Sequence, residues 1–298
     1  MISFQEIIVA SEIGIIYGIL ALGIYLTFRT INFPDLTCDG SFVTGAAVSA
    51  ILIKTGQNPF VAMIAATVVG GVAGLATGLL NVKLKIDDLL SGIVVAFMLY
   101  SVNLRILGTS PNISLVGEKT IFAFGDSFAI SAELMAILLL LLTYLMNSDF
   151  GLGLRSIGEN RKFAAANGIN VNAMIIFALI LSNALVGMCG AVFAQYQGFC
   201  DVSQGIGCLV IGLASVIIGE KLLAKIQFFD RLKCKIELKN FLRLLTIFVF
   251  CVFGSIFYRI FIAIAINSDI LGLRTQDMNL ITGLLIIFVM SRRKKCCK

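Results

Sequence analysis

Histidine and tryptophan are absent from this 298-residue chain, proline occurs three times, and only 13% of the residues are charged. Each shortage removes a class of function. Without an imidazole there is no histidine general base or acid, and no His-Glu-x-x-His zinc site. The eight cysteines include no Cys-x-x-Cys pair. Cys38, Cys189, Cys208 and Cys251 lie in apolar runs, where a thiol behaves as a small hydrophobe. Cys296 and Cys297 close a basic tail that is expected on the reducing, cytoplasmic side. No metal site is expected. A soluble domain would carry about 25% charged residues. The shortfall here accompanies 59% hydrophobic residues and a mean hydropathy of +1.00.

What is present is a series of long apolar runs separated by short charged ones, the pattern of a polytopic membrane protein. A span needs about 20 apolar residues. Runs 7–28, 60–80, 89–107, 131–146 (slightly short), 171–195, 244–266 and 278–291 qualify. Stretches 33–53 and 203–219 are apolar but interrupted, and counting them predicts nine crossings in one all-α domain, 1–298. The first run has no basic residue before it and no cleavage site, so it reads as a retained span.

The net charge of +6 resides in loops and in the tail "SRRKKCCK" rather than in one patch. That distribution follows the positive-inside rule and argues against a nucleic-acid partner. Basic segments 220–243, 147–170, 81–88 and 28–32 are predicted inside. Loops 54–59, 108–130 and 267–277, together with the N-terminus, are predicted outside. Segment 220–243 mixes bases with apolar residues and reads as an interfacial amphipathic helix.

One stretch breaks the pattern. "NFPDLTCDGSF" (32–42) places Asn32, Pro34, Asp35, Thr37, Asp39 and Gly40 at the start of an apolar run. Pro and Asp suit the first turn of a helix at the inner interface, and ionisable residues at membrane depth equally point to function. "FPDLT" (33–37) is echoed by "FCDVS" (199–203), with Asp35 matching Asp201 and Thr37 matching Ser203. Interrupted segments at matching places in oppositely oriented halves are what an inverted-repeat transporter shows. Arg105 and Arg259 each lie about 24 Å from the inner end of their spans. They either snorkel to the outer headgroups or meet Asp201 near an outer gate.

"LTFRTINFPDLTCDGSF" (26–42) resembles the permease subunits of ABC importers related to the branched-chain amino acid system, in the branch associated with tryptophan or tyrosine. "GLGLRSIGENRKFAAANGIN" (151–170) resembles the cytoplasmic coupling signature of that family, and 254–266 resembles its late span. The resemblance implies a permease that docks on a separate ATP-binding subunit through Arg155, Gly158, Glu159, Asn160, Phe163, Ala164, Ala165 and Gly168. It also implies an extracytoplasmic solute-binding protein, a permease homodimer, and the inner (cytoplasmic) membrane. Read from the residues alone, Gly151, Gly153 and Gly158 allow a turn out of the membrane. Residues 159–167 then make about two helical turns, with Phe163, Ala164 and Ala165 as a contact face and Gly168 as the stop. The other reading is an ordinary basic loop.

No nucleotide site is expected in this chain. "GEKT" (117–120) lacks the contiguous Gly-Lys-Ser/Thr of a P-loop because Glu118 intervenes, so ATP and Mg belong to a partner. Three function classes follow: an ATP-driven importer subunit, an ion-coupled secondary transporter, and an intramembrane enzyme, for which no catalytic constellation is present.

Overall fold

The computed structural model describes residues 4–108, 110–225, 236–267, 283 and 287. The chain folds into helices α1 (Phe4–Ile24), α2 (Thr37–Lys54), α3 (Pro59–Leu84), α4 (Asp88–Leu107), α5 (Ser127–Asn147), α6 (Asp149–Glu159), α7 (Arg161–Ala166), α8 (Val171–Gln197), α9 (Cys208–Lys225) and α10 (Ile236–Asn267). Helix α1 continues into a wide π-turn, Tyr25–Thr30. Strands β1 (Asn112–Ser114) and β2 (Phe199–Asp201) form a two-stranded antiparallel ribbon, with Asn112 opposite Asp201.

Among the described residues, seven helical segments are long and apolar enough to cross a membrane: 5–30, 59–84, 88–107, 127–147, 171–197, 202–224 and 240–265. The expectation of nine differs in two places. Run 278–291 lies outside the described residues. Stretch 33–53 yields α2, whose 18 residues include Asp39, Lys54 and several hydroxyls and are not apolar enough to join the seven. Its helix starts at Thr37 because residues 31–36 are irregular, so Pro34 and Asp35 precede the helix instead of occupying its first turn. The run that read as short, 131–146, extends to the 21 residues of α5. The cytoplasmic segment predicted over 220–243 is divided: α9 runs to Lys225, α10 starts at Ile236, and 226–235 lie outside the described residues.

Loops assigned to one side of the membrane meet at one end of the molecule. Arg161 pairs with Asp88, and the Asn32 side chain donates to the Gly158 carbonyl at 2.6 Å. At the opposite end the β-ribbon joins the α4–α5 loop to the turn after α8, and the Ile121 N–H donates to Gln195 Oε1.

The core forms where six helices cross closely. Helix α8 packs against α2 and α3, while α1 packs against α10 and α9. Burying apolar surface gives no driving force between helices in lipid, so small residues and interhelical hydrogen bonds decide the contacts. A Cβ at Gly45 would overlap the Gly187 carbonyl, and one at Gly74 would overlap the Leu179 carbonyl. Ser182 Oγ donates to the Gly23 carbonyl and Ser255 Oγ to the Gly14 carbonyl, each at 2.7 Å. Helices α3, α4 and α5 turn apolar side chains outward, among them Ile64, Phe97, Ile137 and Tyr144. An exposed apolar surface of that extent suits lipid or a second copy.

Replacing Gly74 by leucine drives a side chain into the α8 backbone, and overpacking of this kind costs about 1–3 kcal/mol or more. The monodisperse peak of the detergent-solubilised protein, followed by size exclusion after graded heating, should be lost at markedly lower temperature. Phe97→Leu on the outward face should change stability by no more than about 0.5 kcal/mol.

Candidate functional site: a buried helix junction and a clasp at one end of the bundle

The broken segment and its echo share a local geometry. Asp35 Oδ1 accepts the N–H of Thr37 at 2.9 Å, and Asp201 Oδ1 accepts the N–H of Ser203 at 2.7 Å. In each case the aspartate satisfies the backbone donor two residues on, as a capping side chain does. Thr37 starts α2 at once, whereas Ser203 enters a short 3-10 turn, Val202–Gly205, and α9 follows at Cys208.

Their surroundings then diverge. Asp35 is fully buried. Its Oδ2 accepts Asn183 Nδ2 at 2.7 Å, and Asn183 Oδ1 accepts the Ser41 hydroxyl at 2.6 Å. The hydroxyls of Thr37 and Thr77 lie 2.7 Å apart. Asn183 lies about 18 Å along α8 from its first residue, so this network joining α2, α3 and α8 is near the middle of the helical layer. The burial cost of a carboxyl there is offset by these donors. Asp201 stays at the end of the β-ribbon, bonded to Ser203.

Asp39 closes the junction. It sits in the first turn of α2 and accepts the backbone N–H groups of Leu209 at 2.8 Å and Gly207 at 3.2 Å. Gly207 has φ +84, a left-handed turn that aims the start of α9 at Asp39. The N-termini of α2 and α9 thus face one another, and a carboxylate answers the orphan donors and the positive dipole end of α9. Gly40 completes the contact, its carbonyl accepting from Asn103 of α4 at 3.3 Å.

The arginines do not meet Asp201. Among the described residues neither Arg105 nor Arg259 pairs with it, and Arg105 is exposed at the end of α4. Arg259 does not snorkel outward. Its guanidinium carbon lies 3.9 Å from the centre of the Tyr17 ring, midway along the first span. The reason is directional: side chains tilt toward a helix N-terminus, and in α10 that end is the predicted inner one. A cation–π contact takes the place of both expected alternatives, the headgroup and the ion pair.

The second constellation is the segment after α5. Gly151, Gly153 and Gly158 lie within α6 instead of forming the predicted turn out of the membrane. Their role is close approach, for a Cβ at Gly158 would overlap the Thr30 carbonyl and one at Gly151 the Met146 carbonyl. The chain breaks one residue later, at Asn160, whose side chain caps α7 by accepting from the N–H groups of Lys162 and Phe163. Ala164 is buried, so it does not join the outward face, which Phe163 at 64% exposure and Ala165 present. Gly168 (φ +83) ends the motif as expected of a helix stop. Arg155 donates to the Met146 and Gly151 carbonyls, and Glu159 is exposed.

Sequence reasoning missed Asn183, Thr77 and Tyr17. Asn183 had a usable signal, an amide at the middle of the apolar run 171–195, whose other amides, Asn172 and Gln195, lie at its ends. Nothing in the sequence distinguished Tyr17 as a cation's partner.

Several known proteins resemble this chain. A family model described as branched-chain amino acid transport system / permease component matches residues 11–290. The chain is 38% identical over 275 residues to a tyrosine transport system permease protein of Clostridioides difficile (strain R20291), covering 92% of this chain and 86% of that one. It is 29% identical over 234 residues to a probable branched-chain amino acid transport permease protein, LivH, of Methanocaldococcus jannaschii, covering 70% and 73%. It is also 24% identical over 217 residues to the ribose import permease protein RbsC of Escherichia coli (strain K12), covering 70% and 66%. No solved structure matches.

Two outcomes test the site geometry. Asn183→Leu strands the Asp35 carboxyl and the Ser41 hydroxyl, and should cost about 1–3 kcal/mol of stability, read as a lowered melting temperature in detergent. Burial, followed by the neighbouring Asp201 charge, pushes the Cys200 thiol up from 9.0 to about 12. At pH 8 almost no thiolate forms, so in a variant keeping only Cys200 a maleimide should label the folded protein far more slowly than the denatured one.

Proposed function

The chain belongs to the permease components of branched-chain amino acid transport systems, and from that premise we propose that it forms the membrane pathway of an ATP-driven importer for an amino acid. The observation that carries this reading is the α6–α7 segment, which offers an exposed aromatic, Phe163, on a short capped helix held to the ends of α1 and α4. An exposed aromatic at the centre of a small polar surface is the usual anchor of a protein interface. In this reading the partner docking there is the ATP-binding subunit, which carries ATP and Mg, while this chain performs no chemistry of its own. An extracytoplasmic solute-binding protein delivers solute to the end bearing the β-ribbon. A second copy of the permease meets the outward apolar faces and completes the pathway, with lipid of the cytoplasmic membrane around the rest.

The relatives' names cover an aromatic amino acid, branched-chain amino acids and a sugar. The tyrosine relative matches over the most residues of the three, which favours an amino acid. Fully buried Asp35 and half-buried Asp39 favour a second reading, an ion-coupled carrier that works without an ATPase.

One reconstitution separates the two. Proteoliposomes containing the permease and its ATP-binding subunit, supplied with the solute-binding protein on the opposite side, should accumulate amino acid only with ATP inside the compartment that the subunit faces. Phe163→Glu should reduce transport-stimulated ATP hydrolysis by about tenfold or more, the loss typical of a central aromatic anchor, while the permease still inserts and stays folded. Unchanged hydrolysis with this variant removes the docking assignment. Uptake that follows an ion gradient without ATP replaces the importer with the carrier.

A further inference from the structure

A cavity of about 230 Å³ lies at the end of the molecule where α6 packs beneath α1 and α10. Its floor is aromatic, with Tyr25 and Phe248 in edge-to-face contact, ring centroids 5.5 Å apart. Arg29, Arg155 and Glu159 also line it. The volume exceeds that of a few waters at about 30 Å³ each and falls short of a drug-sized pocket, about 300–1,000 Å³. It suits a molecule of the size of one amino acid.

The charges in this cavity are arranged unusually. Arg29 is already paired with Glu220. Arg155 and Glu159 stand four residues apart on α6, the spacing at which opposite charges on a helix normally meet. Among the described residues they form no ion pair. Arg155 is drawn back toward the start of its helix, where it donates to the Met146 carbonyl at 3.1 Å and the Gly151 carbonyl at 3.3 Å. Two of its five donors are used in this way, leaving the remainder free. Glu159 keeps its carboxylate exposed. The cavity therefore holds one uncommitted cation and one uncommitted anion, with an aromatic floor beside them.

A further feature marks the place. The wall formed by α1 is its π-turn, Tyr25–Thr30. Such wide turns are uncommon and concentrate at functional sites. Here the turn brings Tyr25, Arg29 and Thr30 to one cavity. Arg29 lies at the end of the first membrane-spanning segment, and Phe248 lies near the start of the last described one. The cavity is thus at the predicted cytoplasmic boundary of the bilayer, a depth at which solutes inside the cell and inner-leaflet headgroups are both at hand.

We propose that this cavity is a binding site for a small zwitterion, its anionic group held by Arg155, its ammonium by Glu159, and its remaining body against Tyr25 and Phe248. Two sources supply that chemistry: a free α-amino acid on the cytoplasmic side, and the headgroup of an ethanolamine phospholipid. An occupant bridging both charges on α6 to the ends of α1 and α10 fixes the segment that carries Phe163. Occupancy therefore restrains the surface assigned to ATPase docking, and a free amino acid there acts as product feedback. The binding itself requires only the permease chain, so it succeeds or fails independently of what drives transport.

Calorimetric titration of the purified full-length permease in neutral detergent tests this. The zwitterionic probes are L-tyrosine, L-leucine and O-phosphoethanolamine. L-tyrosinamide, which lacks the carboxylate, and 3-(4-hydroxyphenyl)propionate, which lacks the ammonium, serve as single-charge comparisons. At least one zwitterion should bind saturably, and the single-charge analogue of a bound amino acid should bind about tenfold more weakly, the loss of one charge-assisted hydrogen bond. Saturation by an amino acid alone assigns the free solute, and saturation by O-phosphoethanolamine alone assigns the headgroup. Glu159→Gln, an exposed isostere that leaves the fold intact, should weaken binding about tenfold and abolish the preference for an ammonium group. Arg155→Gln should abolish the preference for the anionic group. The proposal is overturned if none of the three zwitterions binds the folded chain saturably, or if Glu159→Gln leaves their binding unchanged.

Discussion

The carboxylate of Asp39 resting on the backbone N–H groups at the start of α9 is the contact on which the rest of this molecule depends. A helix that begins inside an apolar layer leaves its first four N–H groups without partners, and in lipid each such group costs several kcal/mol. This fold begins two helices there. It tolerates them because each is answered by an aspartate: Asp35 for the start of α2, and Asp39, itself carried by α2, for the start of α9. The second aspartate also ties the two halves of the chain together, because the group that satisfies α9 belongs to the other half.

The rest of the packing follows from that exchange. Helix α8 sits with α2 and α3, and α1 with α9 and α10, so each half lends its leading helix to the other. Contacts this close need glycine on at least one side, as at Gly45 against Gly187 and Gly74 against Leu179. Serine hydroxyls then stitch neighbouring helices through backbone carbonyls, as Ser182 and Ser255 do onto α1. Backbones therefore come close at these crossings, between buried bulky side chains such as Phe33, Phe42 and Phe248, while α3, α4 and α5 also turn large apolar side chains outward.

What could be read from the sequence was what depends on runs and on local turns. The polytopic helical class, the ends of most spans and the kinship of "FPDLT" with "FCDVS" were all legible, because hydropathy and an aspartate two residues before a threonine or serine are local properties. The kinship proves to be the same hydrogen bond made twice. Depth and direction were not legible. The two aspartates of the echo look equivalent in sequence, yet Asp35 enters the core because α8 presents Asn183 to it, and Asp201 remains on the ribbon because β1 pairs with its strand. Counting residues left Arg259 either snorkelling to the outer headgroups or meeting Asp201, whereas the tilt of side chains along α10 carries its guanidinium inward to Tyr17. The glycines of α6 looked like turn residues, and only the proximity of the Thr30 and Met146 carbonyls explains them as helical.

The irregular stretch between α1 and α2 has a mechanical consequence. At its start, Asn32 is clasped to the Gly158 carbonyl of α6; at its end, Asp35 is locked to Asn183 in the middle of the layer. Three residues of backbone reach at most about 10 Å, so while both bonds hold, the surface segment and the buried junction stay on a short leash. The leash is not drawn straight: Asn32, at φ +52, turns the chain, and its soft dihedrals absorb small displacements. A larger withdrawal of α6 from the end of α1 must break either the Asn32–Gly158 bond or the Asp35–Asn183 bond. Residues 32–35 therefore set an upper bound on how far the surface segment can part from the core.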